Sequence, residues 1–182
     1  MFMPSNDAHP RYAASRRWLH WVIFALVLLA YLCINIFDLF PKGGLTRANI
    51  LAAHFTAGIA VLLLVLPRLW LRTRYARPPI TPALEPWTEW MGKITHFALY
   101  LFLLAQPILG VLTVQVGGKP VKLFGMTLLP PLWGPPDRAL SHQLENIHSW
   151  VGTIFYYVIA LHILAALWHY YVRKDDTLQR ML

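Results

Sequence analysis

Four stretches of this chain are apolar over a long run, and polar or proline-rich segments separate them. They cover about 18–37, 49–71, 91–116 and 145–172. A bilayer's hydrocarbon core is spanned by about 20 apolar residues of helix, so each stretch predicts a membrane span. The first is too long for the apolar core of a cleaved leader, about 7–15 residues, and no small-x-small cleavage pattern follows it, so it is expected to be retained. The connection from Asp38 to Ala48 holds Pro41, Gly43 and Gly44 and reads as a short loop. Pro67 is expected to kink or end the second helix early. Arg68 to Trp90 reads as a basic connection, extended from Arg77 onward by Pro78, Pro79, Pro82 and Pro86. The longest connection, Val116 to Leu144, encloses Val121 to Leu129, which is too short to span and is expected at the interface or folded over the helix ends. A polar tail precedes the first span and a short charged tail follows the last. The expected fold is all-α: one transmembrane domain over 1–182, an antiparallel up-down four-helix bundle.

Composition sharpens this reading. The chain has 182 residues and is 57% hydrophobic, above the roughly 45–50% usual for soluble domains. Cys33 is its single cysteine, which excludes both an internal disulfide and a Cys-x-x-Cys-His haem attachment. The net charge is +8, yet the basic residues flank apolar runs instead of clustering on a soluble face, which argues against nucleic acid. Eleven of them fall on the side that holds both termini, and five (Lys42, Arg47, Lys119, Lys122 and Arg138) fall on the other. The positive-inside bias therefore predicts cytoplasmic termini and an outer long connection. Trp18, Trp21, Trp87, Trp90, Trp168, Tyr170 and Tyr171 lie near predicted boundaries, as an interfacial aromatic belt does.

Histidines within spans are costly and usually functional. His148 and His162 are 14 residues apart. That spacing returns a helix to within about 40° of its starting face and advances it about 21 Å. The two rings thus share one stripe, with His148 on the outer side and His162 deeper inside. His54 lies early in the second span and can meet His148. His20 lies early in the first and can meet His162. Bis-imidazole ligation is a natural way to hold a b-type haem between bundle helices, and it leaves iron no open position, which favours electron transfer. Depth alone does not choose the inner partner, because His169 is as near its helix end as His20 is to its own and shares the face of His162. His96 also sits near a helix end. His9 and His142 are expected to be solvated in loops. The competing reading for any of these rings is a buried histidine bonded to neighbouring polar groups.

These features, taken with particular motifs, carry a resemblance. Leu19-His20-Trp21 opens the first span, His54 lies in the second, and Pro107-Ile108-Leu109-Gly110 closes the third. His148 and His162 keep their 14-residue spacing, and Trp168-His169-Tyr170-Tyr171 leads to Lys174-Asp175-Asp176-Thr177-Leu178. Nearly the whole chain resembles the bacterial cytochrome b561 family of small di-haem membrane proteins, and within it the superoxide oxidases. The resemblance implies four transmembrane helices in the inner membrane holding two haem b groups. It places the iron ligands on His20, His54, His148 and His162, with outer pair His54/His148 and inner pair His20/His162, and so decides against His169. It also implies electron flow from superoxide outside, through the haems, to ubiquinone near the inner side.

Simple chemistry accords with that direction. Superoxide is an anion, and Lys119, Lys122 and Arg138 in the outer connection would raise its local concentration. Lys42 and Arg47 can add to this collar or pair with haem propionates. Trp168 and Tyr171 are quinone-pocket candidates by location only. A homodimer is compatible with so small a chain. Two other functions compete. One is a haem-bearing anchor subunit exchanging electrons between a partner dehydrogenase and the quinone pool, for which the short loops offer little docking surface. The other is a histidine-bearing metal transporter, which would want carboxylates inside the spans. The chain has eight acids in all, nearly all in loops or near helix ends.

Overall fold

In the computed structural model, which describes residues 11–76, 78–123 and 126–182, four long helices follow one another. They are α1 (Ala14–Ile36), α2 (Leu45–Arg74), α3 (Pro86–Val116) and α4 (Arg138–Trp168). His9 lies outside the described residues. All four helices are long and apolar enough to cross a membrane. At about 1.5 Å per residue they measure about 35–47 Å, so they project beyond a hydrocarbon core of about 30 Å.

Each helix therefore overruns the apolar stretch that predicted it, for local reasons. Helix α4 starts at Arg138 because Asp137 caps it, its carboxylate accepting from the Leu140 amide at 2.9 Å. His142 consequently sits on the first turns of α4, exposed, and not in a loop. Helix α3 starts at Pro86, whose fixed φ and missing N–H suit a first helical position. Helix α2 runs through Pro67 to Arg74. A proline is tolerated inside a membrane helix because neighbouring groups satisfy the carbonyl it frees. Arg68 is accordingly a helical residue, two turns inside α2, and not part of a connection.

The closest backbone approaches are α1 with α2, α3 with α4, and α2 with α3. Leu19, Ile23 and Cys33 of α1 and Ala57, Ile59, Val61 and Val65 of α2 are buried. Helix α4 has no buried residue at all. It faces α1 and α2 across a wider seam crossed by side chains, such as the Tyr31 hydroxyl donating to the Gly152 carbonyl at 2.8 Å. Large apolar residues such as Leu28, Leu63, Leu101 and Leu164 stay exposed along the bundle, which in a membrane protein is lipid contact and not a defect.

The long connection is a small β-hairpin, β1 (Val121–Leu123) with β2 (Met126–Leu129), antiparallel and bulged beside Val121. It is tied to the end of α3 by buried Gln115, which donates to the Pro130 carbonyl at 3.2 Å and accepts from the Leu132 amide at 2.8 Å. Gly118 takes φ +71°, and a Cβ there would stand 2.5 Å from Pro136 Cγ, so the tight turn before the hairpin needs glycine.

At the opposite end the chain leaves α4 through a π-turn (His169–Arg173) and reverses at Lys174, φ +57°. The closing run then packs under the bundle. The Asp176 amide donates to the Thr81 carbonyl at 3.2 Å, and Asp176 Oδ1 accepts from the Thr81 amide at 3.0 Å. Arg180 donates to the Tyr12 hydroxyl at 3.0 Å and to the Pro78 carbonyl. Trp21 Nε1 donates to the Met181 carbonyl at 2.9 Å. The closing run thus latches the proline-rich connection and the start of α1 together.

Candidate haem-binding sites

Two histidine pairs meet across the seam between α4 and the α1/α2 pair. Near the hairpin end, the ring centres of His54 and His148 are 6.1 Å apart with planes 82° apart. Near the latch end, those of His20 and His162 are 6.4 Å apart with planes 87° apart. These are the four histidines singled out from the sequence, in the expected pairs of helices. All four rings are half-buried.

The spacing can be compared with that of a metal held between two imidazoles. Two metal–nitrogen bonds of about 2.0 Å, plus about 1.1 Å from each nitrogen to its ring centre, span about 6.2 Å. Both separations match that span. Edge-to-face rings in ordinary contact also stand about 4.5–7 Å apart, so the separation is shared by both arrangements. Among the described residues no group of three or more His, Cys, Asp or Glu is gathered to hold a metal ion. A porphyrin, which brings its own equatorial ligands, asks the protein for two imidazoles only.

The outer pair is held by backbone on both sides. His54 Nδ1 is 3.0 Å from the Ala30 carbonyl of α1, and His148 Nδ1 is 3.1 Å from the Gln106 carbonyl of α3. A carbonyl only accepts, so each Nδ1 carries the proton and each Nε2 keeps its lone pair for a metal. The Gln106 side chain also donates to the His148 carbonyl at 2.7 Å. Gly110 lets the ring in: a Cβ there would be 3.3 Å from His148 Cε1.

The inner pair has a different surround. Arg68 Nη2 donates to His20 Nδ1 at 3.0 Å, and Arg68 Nε donates to the Tyr100 hydroxyl at 3.2 Å. His96, bonded to the Gly92 carbonyl, stands with its ring centre 5.5 Å from that of His162. Sequence reasoning named His96 near its helix end without pairing it, and missed Arg68 as a neighbour of this site. The signal for Arg68 was present: it follows His54 by 14 residues, the same spacing that separates His148 from His162. Helices α2 and α4 thus present a matched pair of stripes, His54 above Arg68 and His148 above His162.

His169 is engaged elsewhere. Its Nδ1 lies 2.6 Å from Asp175 Oδ2, which also pairs with Arg173 Nε at 2.9 Å. Burial pushes the Asp175 carboxyl up, but hydrogen bonds from Thr177 and His169 outweigh it and hold the group below the usual carboxylate range. At the hairpin end Lys42, Lys119, Lys122 and Arg138 are exposed. Arg47 is taken by Asp38 at 2.7 Å and covers the Phe37 ring at 3.8 Å.

The sequence profile of the prokaryotic cytochrome b561 family matches residues 11–182. The chain belongs to this family. It is 33% identical over 172 residues to cytochrome b561 homolog 1 of Escherichia coli K12, covering 94% of this chain and 97% of that protein. It is 33% identical over 174 residues to a Yersinia pestis protein named probable superoxide oxidase CybB, covering 96% of this chain and 97% of the other. Cytochrome b561 homolog 2 of E. coli K12 matches 130 residues at 33% identity, 71% of this chain and 68% of that protein. The chain is thus a bacterial membrane electron-transfer protein of the cytochrome b561 family, and the family implies b-type haem.

Proposed function

We propose that this cytochrome b561 protein binds two b-type haems, one between His54 and His148 and one between His20 and His162, and moves single electrons from superoxide on the outer side to ubiquinone on the inner side. The observation that carries the reading is the pair of ring separations, 6.1 and 6.4 Å, each of the size one metal atom between two imidazoles requires. A b haem held at each site would supply a one-electron couple.

The chain's own residues do the rest. The Ala30 and Gln106 carbonyls hold the ring proton of His54 and His148 on Nδ1 and leave each Nε2 its lone pair for a metal. Lys42, Lys119, Lys122 and Arg138 give the outer face a positive potential that favours arrival of an anion, and Arg47, neutralised by Asp38, contributes little to it. The chemistry balances without further reagents: two superoxide anions lose one electron each to give two dioxygen, and ubiquinone takes both electrons with two protons to give ubiquinol. The excess of basic residues beside the latch supports a cytoplasmic side for that end and for both termini. The name of the Yersinia relative supports superoxide as donor.

The test is a reduced-minus-oxidised visible spectrum of the purified protein, followed by a superoxide pulse with and without quinone. Fast haem reduction by the pulse and reoxidation by quinone is the expected result. Haems that ignore superoxide but accept electrons from quinol or a partner dehydrogenase would replace this reading with that of an anchor subunit.

A further inference from the structure

Between α2 and α3, toward the latch end, lies a groove of about 580 Å³. Its apolar walls are Leu69 of α2 and Phe97, Leu101 and Leu104 of α3. Phe97 and Leu101 are exposed, so the groove is open along that wall. From Phe97 to Leu104 the helix advances about 10 Å, a depth that fits within one leaflet's half of a hydrocarbon core of about 30 Å.

The groove is positive at the end nearer the latch. Arg72 lines it and stands 4.9 Å from the centre of the Tyr100 ring, and Arg68 stands 5.6 Å from the centre of the same ring. Among the described residues no carboxylate pairs with either guanidinium, and none lines the groove. Toward the start of α3 the charges are matched, Lys93 with Glu89 at 2.8 Å. Thr73 also lines the groove, but its hydroxyl proton goes to the Trp70 carbonyl at 2.7 Å. Arg72 lies in the last turn of α2, and Trp70 and Tyr75 flank it in sequence with exposed rings. Such rings mark the level of phospholipid headgroups, so a phosphate at that level is within reach of Arg72 when an acyl chain lies in the groove.

We propose that this groove holds one anionic phospholipid of the leaflet on the latch side, with an acyl chain on Leu69, Phe97, Leu101 and Leu104 and the phosphate on Arg72. Basic pockets between membrane helices take acidic headgroups in this way. An anionic lipid offsets the charge that the two arginines leave open, whereas a zwitterionic one brings a cation of its own. None of the histidines takes part.

The test is native mass spectrometry of the detergent-purified full chain, titrated with phosphatidylglycerol or with phosphatidylcholine. One phosphatidylglycerol per chain is expected to be held at least about fivefold more tightly than phosphatidylcholine, the scale of one basic residue at an anionic surface. Arg72→Gln is expected to remove that preference and Arg72→Lys to keep most of it. Arg74→Gln, at the same helix end but against the Trp70 ring and outside the groove, is expected to leave it unchanged. Leu101→Trp, which fills the groove and keeps every charge, is expected to weaken binding of both lipids. Equal affinity of the wild-type chain for the two lipids, or no retained lipid, would overturn the proposal without any variant. Equal losses from Arg72→Gln and Arg74→Gln would overturn it too, since the charge would then act as a diffuse surface. Inorganic phosphate competing as well as phosphatidylglycerol would make this a free-anion site, and equimolar ubiquinone displacing the lipid would give the groove to the quinone; either result contradicts the lipid site.

Discussion

The hairpin end and the latch end of this bundle solve the same problem with different materials. At the hairpin end, two imidazoles are oriented by backbone carbonyls from α1 and α3. At the latch end, one imidazole is oriented by a guanidinium from α2, and a third histidine stands beside the pair. Backbone carbonyls are fixed by the helices that carry them, so the outer rings are preorganised by the fold itself. A side chain can be exchanged without altering the fold, so the inner site is the one whose electronics can be tuned residue by residue. The comparison teaches that equal ring spacing does not imply equal surroundings.

The largest effect that sharpens the comparison is removal of a ligand. His148→Ala and His162→Ala are each expected to halve the haem content, the first sparing the inner site and the second the outer. Haem quantified per chain checks this; loss of both groups from either variant would mean the sites are not independent. Next is Gly110→Val. Its added carbons would push on a ring already at 3.3 Å from the position of a Cβ, at a cost of about 1–3 kcal/mol. The outer haem should be lost or weakened while the inner spectrum persists.

Neutralising Lys119 and Lys122 together should slow reduction by superoxide several-fold or so at low ionic strength, with the difference shrinking as salt rises. Stopped-flow rates at two salt concentrations check it, and an unchanged rate would remove the collar from the account. The smallest effect concerns the latch. The Asp175 carboxyl is held below its ordinary value of 3.8, so the unfolded state binds its proton more readily than the folded state does. Its stabilisation is therefore full above about pH 4 and fades as pH falls below that toward the lower folded value. Melting in detergent should show an acid-side loss that Asp175→Asn abolishes, with no difference in slope between the two proteins above pH 5.

Much of this was legible in the chain. Apolar length alone marks four helices, and the 14-residue interval between His148 and His162 marks a stacked arrangement. Other features were hidden by rules that membrane helices break. Arg68 read as the start of a connection because a proline and a charge together usually end a helix, yet α2 carries both for two further turns. His142 read as a loop residue because its neighbours are polar, although the Asp137 cap had already started α4. The β-hairpin was invisible because its strands are three and four residues long, shorter than any periodic signal. The closing run Lys174 to Leu178 was conspicuous as a motif, but its role as a latch depends on partners at Thr81, Pro78 and Tyr12 that lie far away in sequence.

The central claim is that two bis-histidine sites exist, and haem stoichiometry combined with the electron paramagnetic resonance of the oxidised protein tests it most directly. The account predicts two haems per chain and two low-spin ferric signals, one missing from His148→Ala and the other from His162→Ala. A single haem per chain, or a high-spin signal from iron with an open axial position in the intact protein, would contradict it.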